Sequence, residues 1–109
     1  GICFDTCHAF AGGLDLTKYE EMDKYLNLFN DEIGLENLVC IHLNDSMKPC
    51  NCRVDRHQNL GFGEIGLNSY DGMKLLVQRT EYLDIPIILE TPYDKEKRIQ
   101  EIKMVKSWV

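Results

Sequence analysis

Residues 38–45 read Leu-Val-Cys-Ile-His-Leu-Asn-Asp. The stretch opens as a β-prone apolar run and closes on side chains that bind metals or protons. An apolar run without clean alternation marks a strand of a parallel sheet, buried on both faces. Two other segments follow the same plan. Gly1–Asp5 (GICFD) ends on Asp5, and Ile85–Thr91 (IPIILET) ends on Glu90 and Thr91. Pro86 stands at the start of its run, where a missing amide donor is tolerated.

The gaps between these runs carry helical periodicity. From Thr17, apolar residues fall at Tyr19, Met22, Leu26, Phe29 and Ile33, one face of a helix. Thr17-Lys18-Tyr19-Glu20 fits a capping box, and Gly34 fits the C-terminal stop. A second helix is expected from Asn68–Ser69, with Tyr70, Met73 and Val77 inward. A third is expected from Asp94, with Ile99, Ile102, Val105 and Trp108 or Val109 inward. The resulting order is β, α, β, long loop, α, β, α. Strands alternating with helices imply parallel strands joined by right-handed crossovers. Three such units are too few to close a (β/α)8 barrel, which takes about 250 residues. They form either a small open sheet or the last three units of such a barrel.

Composition narrows the class. A chain of 109 residues, 44% hydrophobic and 28% charged, is neither disordered nor membrane-like. No apolar run approaches the roughly 18 residues of a membrane span. Gly1 leads straight into an apolar segment with no initiator Met or signal peptide, so a piece of a longer chain is expected. The net charge of −6 argues against a nucleic-acid partner unless the carboxylates hold metal. Five cysteines, an odd count with irregular spacing, make a poor disulfide framework. Cys3 and Cys40 read as small buried hydrophobes. Cys50 and Cys52 read as reduced loop thiols or as a redox or metal pair, in a reducing intracellular compartment, cytoplasm or nucleus.

Sites in parallel α/β folds gather at the carboxyl ends of the strands. There the first strand delivers Asp5, followed by His8. The second delivers His42, Asn44 and Asp45, and the third delivers Glu90. The loop at 46–66, about 20 residues without a clear element, adds Asp55 and His57. All three histidines of the chain belong to this set. Imidazole with carboxylate is the ligand set of zinc, and of manganese or iron at its oxygen-rich end. Each residue also has a plainer reading: Asp5 as a helix cap, His42 as a core histidine, Glu90 as an ion-pair partner, Asp55 and His57 as loop polarity. Gly61, Gly63 and Gly66 allow tight turns near a ligand, and Lys48, Arg53 and Arg56 form a small basic cluster able to steer a phosphate.

Three motifs, DTCHAFAGGLDL from Asp5, HLNDS…RVDRHQNLGFGEIGL from His42 and IPIILETP from Ile85, resemble the endonuclease IV family of zinc-dependent apurinic/apyrimidinic (AP) endonucleases. The resemblance implies a (β/α)8 TIM barrel with up to three zinc ions, of which residues 1–109 form the C-terminal segment. It implies that His8, Asp55 and His57 ligate one zinc, a site complete here. It implies that Asp5, His42 and Glu90 ligate a second and fix the metal nearest the attacking water, a site lacking its bridging glutamate. The third site and the N-terminal part of the barrel are missing. The implied reaction is hydrolysis of the phosphodiester 5′ to abasic sites in double-stranded DNA, in base-excision repair, with Arg56 approaching the DNA backbone and Arg53 beside it. The isolated chain is expected to be inactive, because a partial barrel exposes two sheet edges. The segment KPCNC before RVDRH departs from the family's usual small residues. Two alternatives stand beside this reading: a metal-dependent sugar isomerase or epimerase barrel, and an inactive truncated product.

Overall fold

A computed structural model describes all residues, Gly1–Val109. Three parallel strands form an open sheet in the order β1 (Ile2–Asp5), β2 (Leu38–His42), β5 (Ile87–Ile88). Between them run α1 (Thr6–Ala11), α2 (Tyr19–Glu32) and α3 (Asp71–Tyr82), and α4 (Lys95–Ser107) ends the chain. The expected third strand is short, but its backbone continues the ladder: Ile41 donates to the Pro86 carbonyl at 3.0 Å and Leu43 to that of Ile88 at 2.8 Å. This is the α/β fold expected, as part of a barrel rather than a closed one.

The core lies on one face of the sheet. Phe4, Leu38 and Ile41 pack there with Met22, Leu26 and Phe29 of α2 and with Met73, Leu76 and Val77 of α3. The other face is open, contrary to the expectation of strands covered on both sides. Cys3 is exposed and Cys40 half-buried, so neither is a core hydrophobe. The register shifts between Ile2 and Cys3: Ile2 pairs with Leu38 and Cys3 with Cys40, leaving Val39 as an extra residue in β2. Beyond that bulge Phe4 pairs with Ile41 and Asp5 with His42.

Three helix expectations are corrected by local chemistry. The capping box at Thr17 does not form, because Thr17 bonds Asp15 through both its amide and its hydroxyl, and it is Glu21 that reaches back, to the Asp15 amide. Tyr19 and Ile33, at the ends of the α2 stripe, are exposed while its middle is buried. On α4, Ile99, Ile102 and Val109 face outward, contrary to expectation for the isoleucines, whereas Val105 and Trp108 pack on the core as expected and Glu101 is buried as well. Gly34 behaves as expected: at φ 96° its amide closes on the Phe29 carbonyl at 2.9 Å.

The long loop holds structure of its own. Asp45–Ser46 (β3) pairs antiparallel with His57–Gln58 (β4). That ladder folds the loop back so that Asp55 and His57 stand over the ends of β1 and β5.

Candidate metal centre

Each strand tip is fixed by a bond that leaves a donor atom free. Asp5 caps α1, one carboxylate oxygen accepting the His8 amide at 3.0 Å, so the plainer reading of Asp5 and the ligand reading coexist. Its other oxygen lies 3.5 Å from His57 Nε2. Thr6 and Asn44 lock the ends of β1 and β2 together: the Thr6 hydroxyl donates to the Asn44 carbonyl at 2.6 Å, and the Asn44 amide donates to Thr6 Oγ1 at 2.8 Å. Asn44 is fully buried, and its side-chain oxygen accepts the Glu90 amide at 3.0 Å. It is therefore the tie between β2 and β5 rather than an open donor.

The six residues expected as ligands meet at this edge. His42 Nδ1 lies 2.6 Å from Glu90 Oε1. His57 turns Nδ1 to the Glu90 carbonyl at 3.1 Å, which leaves Nε2 between Asp5 and Asp55, 3.6 Å from the latter. His8 Nδ1 lies 3.2 Å from Asp55 Oδ2. The grouping differs from the two triads expected. His57 belongs to both clusters, since ligand atoms of Asp5, His57 and Glu90 lie within 4.8 Å of one another. His8, 79% exposed, joins only through Asp55.

Cys7 adds a donor that carries no such signal in the sequence. Its buried thiol donates to the Arg56 carbonyl at 3.3 Å and sits within 4.8 Å of Asp55 and His57. Burial, and then the contact with Asp55, pushes this thiol up to about 12. Burial alone would raise the Asp55 carboxyl, but bonding to Cys7 and His8 and the nearby imidazoles hold it below the usual carboxylate range.

Asp45, expected in the donor set, faces away from it. Fully buried, its carboxylate accepts the amides of Ser46, Gly61, Gly63, Ile65 and Gly66 at 2.8–3.3 Å. A Cβ on Gly66 would stand 2.6 Å from Asp45 Oδ2, so the glycine-rich run wraps this carboxylate. Below the centre, Glu101 accepts from the Leu60 amide at 2.9 Å and the Thr91 hydroxyl at 2.8 Å, joining the loop to the residue after Glu90.

The donor set fits divalent cations. Asp5, Asp55 and Glu90 have imidazoles as their only ion-pair partners; the Arg–carboxylate pairs of the chain lie elsewhere, at Arg79–Asp23 and Arg98–Glu101. Three carboxylates around one imidazole, with no lysine or arginine among them, form a donor set able to hold a cation. Arg53 and Arg56 are exposed at the rim. Arg53 lines a cleft of about 180 Å³ with His8, Ala11, Gly12 and Asp55, whereas Arg56 is held by its backbone carbonyl. Lys48 is exposed as well. No helix is long and apolar enough to cross a membrane.

Similarity to known proteins agrees with this architecture. A probable endonuclease 4 of Geotalea daltonii is 40% identical over 95% of the chain, and one of Buchnera aphidicola subsp. Acyrthosiphon pisum is 47% identical over 98%. Endonuclease IV from Thermus thermophilus superposes with a TM-score of 0.81 at 34% identity, over 97% of the chain. The AsfvAP:AG crystal structure superposes at 0.85 with 25% identity. The chain spans 35%, 38%, 37% and 40% of these proteins respectively, well under half of each. The family description xylose isomerase-like TIM barrel matches residues 1–108. With its parallel βα units and donors at the strand tips, the chain thus belongs to the xylose isomerase-like TIM-barrel family, AP endonuclease family 2, of which it represents a part.

Proposed function

We propose that residues 1–109 are the C-terminal segment of a zinc-dependent AP endonuclease and supply much of its metal centre. The whole enzyme would hydrolyse the phosphodiester 5′ to abasic sites in double-stranded DNA during base-excision repair. The observation that carries this reading is the convergence of Asp5, His8, His42, Asp55, His57 and Glu90 from three strand tips and one loop. The family description also names xylose isomerase, but the relatives at 40% and 47% identity bear the endonuclease name, which favours the nuclease.

Asp5, His42 and Glu90 would hold one zinc, and His8, Asp55 and His57 another. Bound zinc would polarise the phosphodiester and make a water acidic enough to attack near neutral pH. The protein's own contribution is placement. Asp5 and Glu90 are anchored through the α1 cap and through Asn44, so their oxygens need little reordering. Arg53 and Arg56, exposed beside the acidic centre, contact DNA phosphates and offset the net charge of −6 locally. An abasic nucleotide has no base to unstack, so it reaches a strand-tip centre at lower cost than an intact one. The five free cysteines suit a reducing, intracellular setting. The 109 residues alone do not cleave: β1 and β5 are open edges, and the sheet face beneath the centre is uncovered.

Zinc content of the purified chain tests the reading, wild type beside His57→Ala. The variant is expected to carry one equivalent less. Equal content in both, or none in either, would overturn the assignment of the loop ligands.

A further inference from the structure

The open face of the sheet carries a donor set that the carboxylate centre does not use. Cys3 on β1 and Cys40 on β2 are direct register partners, and Asp5 and His42 form the next same-face pair. The sulfurs of Cys3 and Cys40 and a ring nitrogen of His42 lie within 4.8 Å of one another. Both thiols are free, Cys3 is exposed, and Cys40 and His42 are half-buried, so the set is open to an incoming ion.

We infer that Cys3, Cys40 and His42 form a second cation site, selective for a thiophilic divalent ion of the zinc–cadmium class. A tetrahedral ion with bonds of about 2.3 Å to two thiolates needs the sulfurs about 3.8 Å apart, a separation small side-chain rotations supply. Two sulfurs and one imidazole leave one position of the tetrahedron for water. Sulfur ligation also sets this site apart from the oxygen-rich centre, because thiolates discriminate strongly against magnesium, calcium and manganese.

His42 connects the two sites. Its Nδ1 faces Glu90 at 2.6 Å, so the same ring borders both donor sets. The inference goes beyond the nuclease reading and concerns the chain as it stands, because in a closed barrel this face lines the packed interior.

The test is titration of the reduced chain with cadmium, followed by thiolate-to-metal charge-transfer absorption in the ultraviolet. The wild type is expected to show a band that saturates at one ion per chain. Cys3→Ser and Cys40→Ser should each lose that stoichiometric band, with circular dichroism confirming that both remain folded. Cys52→Ser, in the distant loop, should retain it, and so should Asp5→Asn, which removes only an oxygen donor. A band that survives both Cys3→Ser and Cys40→Ser would overturn the proposal, as would its loss in Asp5→Asn or its absence from the wild type.

Discussion

Nδ1 of His42 lies 2.6 Å from Oε1 of Glu90, joining the tips of two neighbouring strands through their side chains. The Glu90 backbone serves a second imidazole, its carbonyl 3.1 Å from His57 Nδ1. Glu90→Gln keeps that carbonyl and removes only the charge. Zinc affinity, measured by competition with a chromophoric chelator, is expected to fall at least about tenfold, or ~1.4 kcal/mol. Unchanged affinity would take the Glu90 side chain out of the donor set.

Asp45 predicts a stability effect rather than a loss of ligand. Asp45→Asn turns an amide hydrogen donor toward backbone N–H groups that now meet a carboxylate oxygen. The expected cost is roughly 2–4 kcal/mol, read as a lower urea midpoint. Gly66→Ala should also destabilise, since its Cβ would meet both Asp45 Oδ2 and Gly61 Cα at 2.6 Å. A midpoint unmoved by either change would contradict the wrapped carboxylate.

The orientation of α4 is open to direct test. Ile99 is 45% exposed, so Ile99→Ser should stay within about 0.5 kcal/mol of wild type in thermal or urea unfolding. Trp108 is 7% exposed and packs against Tyr70 with tilted rings, centroids 5.2 Å apart, so Trp108→Ala should cost about 3–5 kcal/mol. Glu101→Ala leaves Arg98 without its carboxylate and should cost a similar 3–5 kcal/mol or so. The reverse ranking would show that the helix presents its isoleucines to the core.

Cys7 gives a pH dependence. Its thiol stands at about 12 in the folded chain against an ordinary 9.0. Below pH 9 both folded and unfolded chains keep the proton, so its contribution does not vary. Between 9 and 12 the unfolded chain loses the proton first, so stability falls as pH rises. Cys7→Ala should flatten that alkaline decline in the urea midpoint. The native thiol should also resist alkylation at pH 8 and react only on unfolding.

The strand tips and the middle of α2 could be read from residue order because burial dictates them. Leu38 and Ile41 have to be covered, and Met22, Leu26 and Phe29 repeat at the helical period, so both survive in the fold. What local pattern missed depends on partners far along the chain. Asp45 and Asn44 look like open donors until Gly66 and Glu90 claim them. On α4 the periodic isoleucines suggested the wrong face, because a buried Glu101 held by Leu60 and Thr91 leaves no apolar signal. Cys7 carries no ligand signal in residue order; only the returning loop gives it Arg56 and Asp55 as neighbours.

The supernumerary Val39 sets the parity of everything above it. Successive side chains of a strand point alternately to its two sides, so one residue more or less reverses them all. Val39 absorbs an odd step at the foot of β2, and the chain climbs to His42 aligned with Asp5. Deleting it would demand a compensating insertion lower down, or turn the imidazole toward the helices. A small irregularity at the base of the sheet thus works as a phase adjuster, letting the connection beneath vary in length without disturbing the chemistry at the rim.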